Sequence, residues 1–122
     1  MKSYHHDSIQ NNLEALPPLK DTPGYTIISG DPRAGIRFDQ GGFDSKHRLG
    51  IWQCSPGEFS CVEKGDELQI LLQGDLTLIY PDGSEHHFIP GDSFFTEKGE
   101  TVIWRVNQTV KKVFFTYDRD GK

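Results

Sequence analysis

Residues 66–96 read DELQILLQGDLTLIYPDGSEHHFIPGDSFFT, and this stretch decides the fold. Leu68 to Gln73 is apolar on nearly both faces, as a buried strand is, and Gly74-Asp75 then turns the chain. Leu76 to Tyr80 alternates apolar and polar residues, the period-2 pattern of a half-buried strand. Pro81-Asp82-Gly83-Ser84 is the clearest hairpin signal in the chain, because Asp-Gly admits the positive φ angles of a tight two-residue turn. Glu85 to Ile89 returns, Pro90-Gly91-Asp92 turns again, and Ser93 to Thr96 forms the next short strand.

The same rhythm extends in both directions. Upstream, Tyr25 to Ile28, a run around Ile36 and Phe38, Leu49 to Cys54 and Phe59 to Glu63 are strands. Ser29-Gly30-Asp31-Pro32, Gln40-Gly41-Gly42 and Ser55-Pro56-Gly57 separate them. Downstream, Thr101 to Val106 and Lys111 to Tyr117 complete nine or ten short strands. Regular spacing, frequent turns and no long helical period define an all-β sandwich or barrel.

The 122 residues are the length of one domain, and a body of that size buries about two thirds of its unfolded surface without staples. Thirteen Gly and seven Pro disfavour a helical bundle. A net charge of −5 with no Lys/Arg run argues against a nucleic-acid surface. No apolar run approaches the roughly 18 residues of a membrane span, and the N-terminus lacks the apolar core of a secretory signal. Two cysteines, Cys54 and Cys61, are too few for a disulfide framework and too widely spaced for C-x-x-C chemistry. They read as reduced thiols of a cytoplasmic protein.

The domain reading is an N-terminal arm over 1–24, a barrel over 25–117 and a solvated tail over 118–122. The arm is polar and Pro-rich. Ser8 to Leu16 could form one weak helical turn, because Ile9, Leu13 and Leu16 are three to four residues apart. The arm is expected either to be mobile or to lay its few apolar residues on a partner subunit.

Gly57 to Val106 resembles the cupin superfamily, a small jelly-roll barrel. Glu67, six further residues and Gly74 match the end of the first cupin motif, whose two histidine slots hold Cys61 and Glu63 here. Gly91 opens the second motif, Glu97-Lys98-Gly99 stands for its Pro-x-Gly, and its histidine slot holds Val102. Over residues 25–117 the chain is similar to small bacterial cupins of unassigned function related to ureidoglycine aminohydrolase and to an ethanolamine-utilisation cupin. Gly50-Ile51-Trp52, Pro56-Gly57, Asp66-Glu67, Gly74, Asp82-Gly83, Gly91-Asp92, Gly99, Trp104 and Lys112 carry that similarity.

A typical cupin holds Mn, Fe, Ni or Zn through three His and one Glu, ligands that suit borderline metals. No histidine stands in a ligand slot here. The resemblance therefore implies a barrel without a metal cofactor, the alternative being Zn on Cys61, Glu63 and Glu67. His86 and His87 are adjacent and point to opposite faces of a strand, so they do not share one interior metal. His47 lies in a polar stretch.

Alternation places Gln69 and Leu71 on the same face as Glu67, and Trp104 and Val106 on the same face as Val102. With the resemblance, the lumen is Trp52, Cys61, Glu63, Glu67, Gln69, Trp104 and Lys112, with Phe95 at the rim. Two carboxylates brought together repel unless one takes a proton or a cation joins them, and Lys112 can be that cation. Two indoles make apolar walls that also suit a small cationic amine. The expected function is metal-free binding of a small amine or nitrogenous molecule. The alternatives are an acid–base enzyme using Glu63, Glu67 and Lys112 as its catalytic candidates, a metalloenzyme, and a structural homodimer. In the bland reading the indoles are core and Glu67–Lys112 is a structural pair.

Overall fold

The computed structural model describes residues 1–5 and 12–118. The chain is a small jelly-roll barrel, almost entirely strand. In order the elements are β1 (Glu14–Ala15), a 3-10 turn (Leu19–Asp21), β2 (Tyr25–Gly30), β3 (Ala34–Gln40), β4 (His47–Cys54), β5 (Gly57–Val62), β6 (Asp66–Ile79), β7 (Glu85–Phe88), β8 (Ser93–Thr96) and β9 (Thr101–Tyr117). No helix among the described residues is long and apolar enough to cross a membrane.

Two long strands organise the barrel. The C-terminal half of β9 pairs with β4, with Trp52 opposite Lys112, and its N-terminal half pairs with β5, with Cys61 opposite Val102. Along its other edge β9 runs antiparallel to β6 from Asp66↔Tyr117 to Ile79↔Ile103. The first half of β6 carries β8 and the second half carries β7. One layer is therefore β1-β3-β4-β9-β6-β8 and the other β2-β5-β9-β6-β7, with β6 and β9 bending from one into the other.

The bend explains two departures from the sequence reading. Gly74-Asp75 does not end a strand. It forms irregularities in the register between Leu71 and Leu76 inside one continuous β6. Gly74 has φ +98°, and a Cβ there would lie 2.3 Å from the Thr109 carbonyl oxygen, so only glycine lets the strands cross this corner. Likewise Thr101 to Val106 and Lys111 to Tyr117 are one strand of 17 residues. At the hairpin only Gly83 takes positive φ. Asp82 does not take the positive φ that a two-residue type I′ turn needs at both central residues. The chain closes a longer turn with Gly83 N–H to Tyr80 O at 2.8 Å and Tyr80 N–H to Ser84 O at 3.0 Å.

The N-terminal segment lies on its own barrel. Glu14 and Ala15 are extended and pair with Ile36 and Gly35, so no helical turn forms there, and residues 8–11 lie outside the described part. Leu19 is 2% exposed within the main core, and Leu16 packs against that core. Burying a leucine so fully is worth about 1.5–3 kcal/mol, which holds the segment down. Tyr4 and Leu13 cover Ile51, Leu72 and Val113 on the outer sheet face, and the Tyr4 hydroxyl donates to Asp39. At the other end Asp118 is tied in by its N–H to Lys46 O at 2.8 Å and by Lys98 Nζ at 2.6 Å, where a solvated residue was expected. Residues 119–122 lie outside the described part.

Candidate functional site

The barrel encloses a cavity of about 410 Å³. Antiparallel register sets its inner rows. Thr96, Glu67 and Thr116 face one another across β8, β6 and β9, and Phe94, Gln69 and Phe114 form the next row. Leu71, Lys112 and Trp52 form the row beyond. Of the seven residues expected in the lumen, Trp52, Cys61, Glu63, Glu67, Trp104 and Lys112 line the cavity. Gln69 is fully buried beneath it. Leu71 and Val102 are core.

Lys112 is the centre of the arrangement. Its side chain is 8% exposed, and its Nζ donates to Glu67 Oε2 at 2.8 Å and to Gln69 Oε1. The same ammonium stands 4.9 Å from the Trp52 ring centroid and 4.8 Å from that of Trp104. The two indoles meet edge to face, 5.6 Å apart, and Phe59 stacks on Trp104 at 6.2 Å.

Glu63 has different company. It follows β5 directly, and its backbone is clamped by Glu63 N–H to Glu100 O and Gly99 N–H to Glu63 O, both 2.9 Å. Its carboxyl accepts from Thr96 Oγ1 at 3.1 Å, Trp104 Nε1 at 3.4 Å and Cys61 Sγ at 3.5 Å. Burial pushes its pKa up and nearby Glu67 adds to that, while Lys112 and the bonds from Thr96 and Cys61 pull it down. Gln69 Nε2 donates to Thr96 Oγ1 at 2.9 Å, which directs the Thr96 hydroxyl proton to Glu63. A polar chain thus runs Glu67–Lys112–Gln69–Thr96–Glu63.

Several site residues escaped the sequence reading, among them Phe59 and Phe114 and the charged Asp44, Arg48, Lys64 and Asp118. Thr96 orients Glu63, and Thr116 donates to Glu67 Oε1 at 2.7 Å. Alternation from Lys112 through Phe114 would have found Thr116. Tyr25, at the start of β2 opposite Cys61, also lines the cavity. Phe95 is not at this rim. It lies on the outer face, 57% exposed, because its neighbour Phe94 points inward, 6.1 Å from Trp104. His86 and His87 are exposed, and His87 Nε2 meets Asp75 at 2.9 Å. His47 stacks on Tyr117 at 5.0 Å, outside the cavity.

Of the residues named for the zinc alternative, Cys61 donates to Glu63 at 3.5 Å and Glu67 accepts from Lys112. Glu67 is already joined to an ammonium. Among the described residues no three His, Cys, Asp or Glu side chains are grouped as a metal site requires.

A small jelly roll with its cavity at this end of two shared strands defines the cupin class. Residues 41–114 match the EutQ-like cupin domain family, and the chain belongs to that family. It is similar in structure to the EutQ protein of Clostridium difficile, at 20% identity and a TM-score of 0.63 over 73% of this chain and 71% of that one. A protein of unknown function from Pseudomonas syringae pv. tomato, of the DUF861 family, is similar at 25% identity and a TM-score of 0.73. That match covers 90% of this chain but 45% of that one. A DUF861 family protein from Thermotoga maritima is similar at 25% identity and a TM-score of 0.53, over 55% of this chain and 76% of that one. No curated protein matches the chain.

Proposed function

We propose that this cupin binds a small nitrogenous molecule in its barrel, without a metal, and that Glu63 is the anchor. The observation behind this reading is the unequal treatment of the two carboxylates. Glu67 bonds directly to the Lys112 ammonium, while the hydrogen bonds to Glu63 come from the neutral donors Thr96, Trp104 and Cys61, with Lys112 acting on it only through space. A carboxyl so placed beside the Trp52, Phe59 and Trp104 rings of the cavity is a group that an N–H of a ligand would meet. An apolar cleft with a few converging polar groups is the common form of a small-ligand site. A thermal-shift panel of small amines, amino acids and amides tests the reading. At least one is expected to raise the Tm of the native protein and to lose that effect in Glu63→Gln. No shift from any of them at millimolar concentration overturns it.

A second reading, an acid–base enzyme, draws on the same carboxyl. Burial raises the Glu63 pKa, which makes its ionised form a better base. Glu67, held by Lys112 and Thr116, is the positioning partner instead of the base. Glu63→Gln would then abolish turnover of a bound compound while leaving its binding in place.

A further inference from the structure

Indole walls beside carboxylates suggest a seat for a cationic ligand. In this barrel the seat is filled from within. The Lys112 ammonium lies within 5 Å of both indole centroids and 5.9 Å from the Phe114 centroid, and it donates to both Glu67 and Gln69. A second ammonium over these rings would stand beside a like charge in a desolvated place, where repulsion is strong.

The rest of the cavity offers different chemistry. Tyr25 lines it, and its phenol makes no hydrogen bond among the described residues. Burial, with Cys61, Glu63 and Glu67 nearby, keeps that phenol protonated and therefore a donor. Glu63 lines the same cavity and is an acceptor there. Cysteine 61 adds no charge, because its thiol is also held protonated. Glu67 and Lys112 pair, and the other charged lining residues, Asp44, Arg48, Lys64 and Asp118, are two of each sign, so apart from Glu63, whose pKa burial raises, the lining carries no net charge.

We infer that Lys112 is the built-in occupant of the cation seat and that the ligand is a small neutral carboxamide, its N–H on Glu63 and its carbonyl on Tyr25. This rests on the reading that the cavity binds a small nitrogenous molecule, and it narrows the class.

Propionamide and propylammonium chloride, similar in size and different in charge, separate the possibilities. Each is titrated into the wild-type protein and into Lys112→Ala, with Tm and tryptophan fluorescence as readouts and sodium chloride as the salt control. The expected result is a saturable response of the wild type to propionamide and none to propylammonium beyond the salt control. Lys112→Ala should gain a propylammonium response at least about tenfold tighter than any in the wild type, because the seat is emptied. A wild type that binds propylammonium as tightly as propionamide overturns the inference and leaves the binding reading standing. A wild type indifferent to both overturns the two together. If Lys112→Ala does not fold, NMR of the wild type decides the seat. The Lys112 ε-methylene protons should be shifted upfield by the indole ring currents and its ammonium protons protected from exchange. Ordinary lysine shifts overturn the assignment.

Discussion

Lys112 reaches past its own row of the barrel to meet Glu67 at 2.8 Å. The residue opposite it on β6 is Leu71, and the lysine stem runs along the lumen beside Gln69 to a carboxylate whose backbone stands opposite Thr116. The stem is thereby packed and the ammonium is held on several sides, by Glu67, by Gln69 and by the two indoles. A lysine drawn along the lumen in this way touches both tryptophans and fixes Glu67 and Gln69.

Removing one partner of this pair should cost more than removing both. Lys112→Met keeps the volume of the stem but strands Glu67, and Glu67→Gln strands the ammonium among aromatic rings. Each single change is expected to lower stability by about 3 kcal/mol, the usual cost of leaving a buried charge unpaired. The double variant should lose clearly less than the sum. Equilibrium urea unfolding of the four proteins measures the coupling, and additive losses would show that the pair is not a unit.

Glu63 makes stability depend on pH in a particular direction. Its pKa is raised on folding, so the unfolded chain releases this proton first as pH rises. The folded state then binds more protons than the unfolded state, and stability falls from the ordinary carboxylate range up through the raised pKa. Glu63→Gln should flatten that decline and make the protein relatively more stable at the alkaline end. Tm measured between about pH 5 and about pH 8 checks both the sign and its removal. A decline unchanged in Glu63→Gln would assign it to another group.

The two thiols should be silent in the native state. Cys54 is fully buried and its pKa is pushed up to about 12, and Cys61 is moved in the same direction by burial and by Glu63. Thiolate is the reactive form, so a disulfide reagent in mildly alkaline buffer should label neither within minutes. In guanidinium both should react at once, since both are free. Rapid labelling of Cys61 in the folded protein would mean that the cavity thiol is ionised.

Two glycines with nearly the same backbone angle should respond differently to alanine. Gly74 has φ +98° and Gly91 φ +97°. A Cβ at Gly91 meets nothing within 4 Å, so Gly91→Ala should cost only the conformational penalty of about 1–2 kcal/mol. A Cβ at Gly74 meets the Thr109 carbonyl at 2.3 Å, so Gly74→Ala must displace β9 and should cost substantially more. Thermal unfolding of the two variants compares them directly.

Much of this was readable in the chain, and the misses share a cause. Period-2 alternation, with the resemblance, placed Trp52, Glu67, Trp104 and Lys112 on one surface, because side-chain direction along a strand is a local property. Continuity of β6 through Gly74 is not local. The sequence looks like a turn there, and only pairing with Thr109 and its neighbours makes it a corner. Thr96 and Thr116 were overlooked because a threonine on a strand is unremarkable until its register opposite Glu67 is known. The cation seat shows the same limit. Indoles and carboxylates suggested an external amine, and only the length and direction of the Lys112 stem showed that the protein supplies its own ammonium. The N-terminal segment looks detached because its apolar residues are few, yet Leu19 is buried in the core and Leu16 packs against it.

Among the described residues β9 is the last strand in chain order, and it is the seam on which β4, β5 and β6 all close. A growing polypeptide that has emerged only as far as β8 therefore has neither layer complete and has open sheet edges. Folding of these strands is therefore expected to complete only once β9 is translated, and a chain halted before Tyr117 should expose those edges.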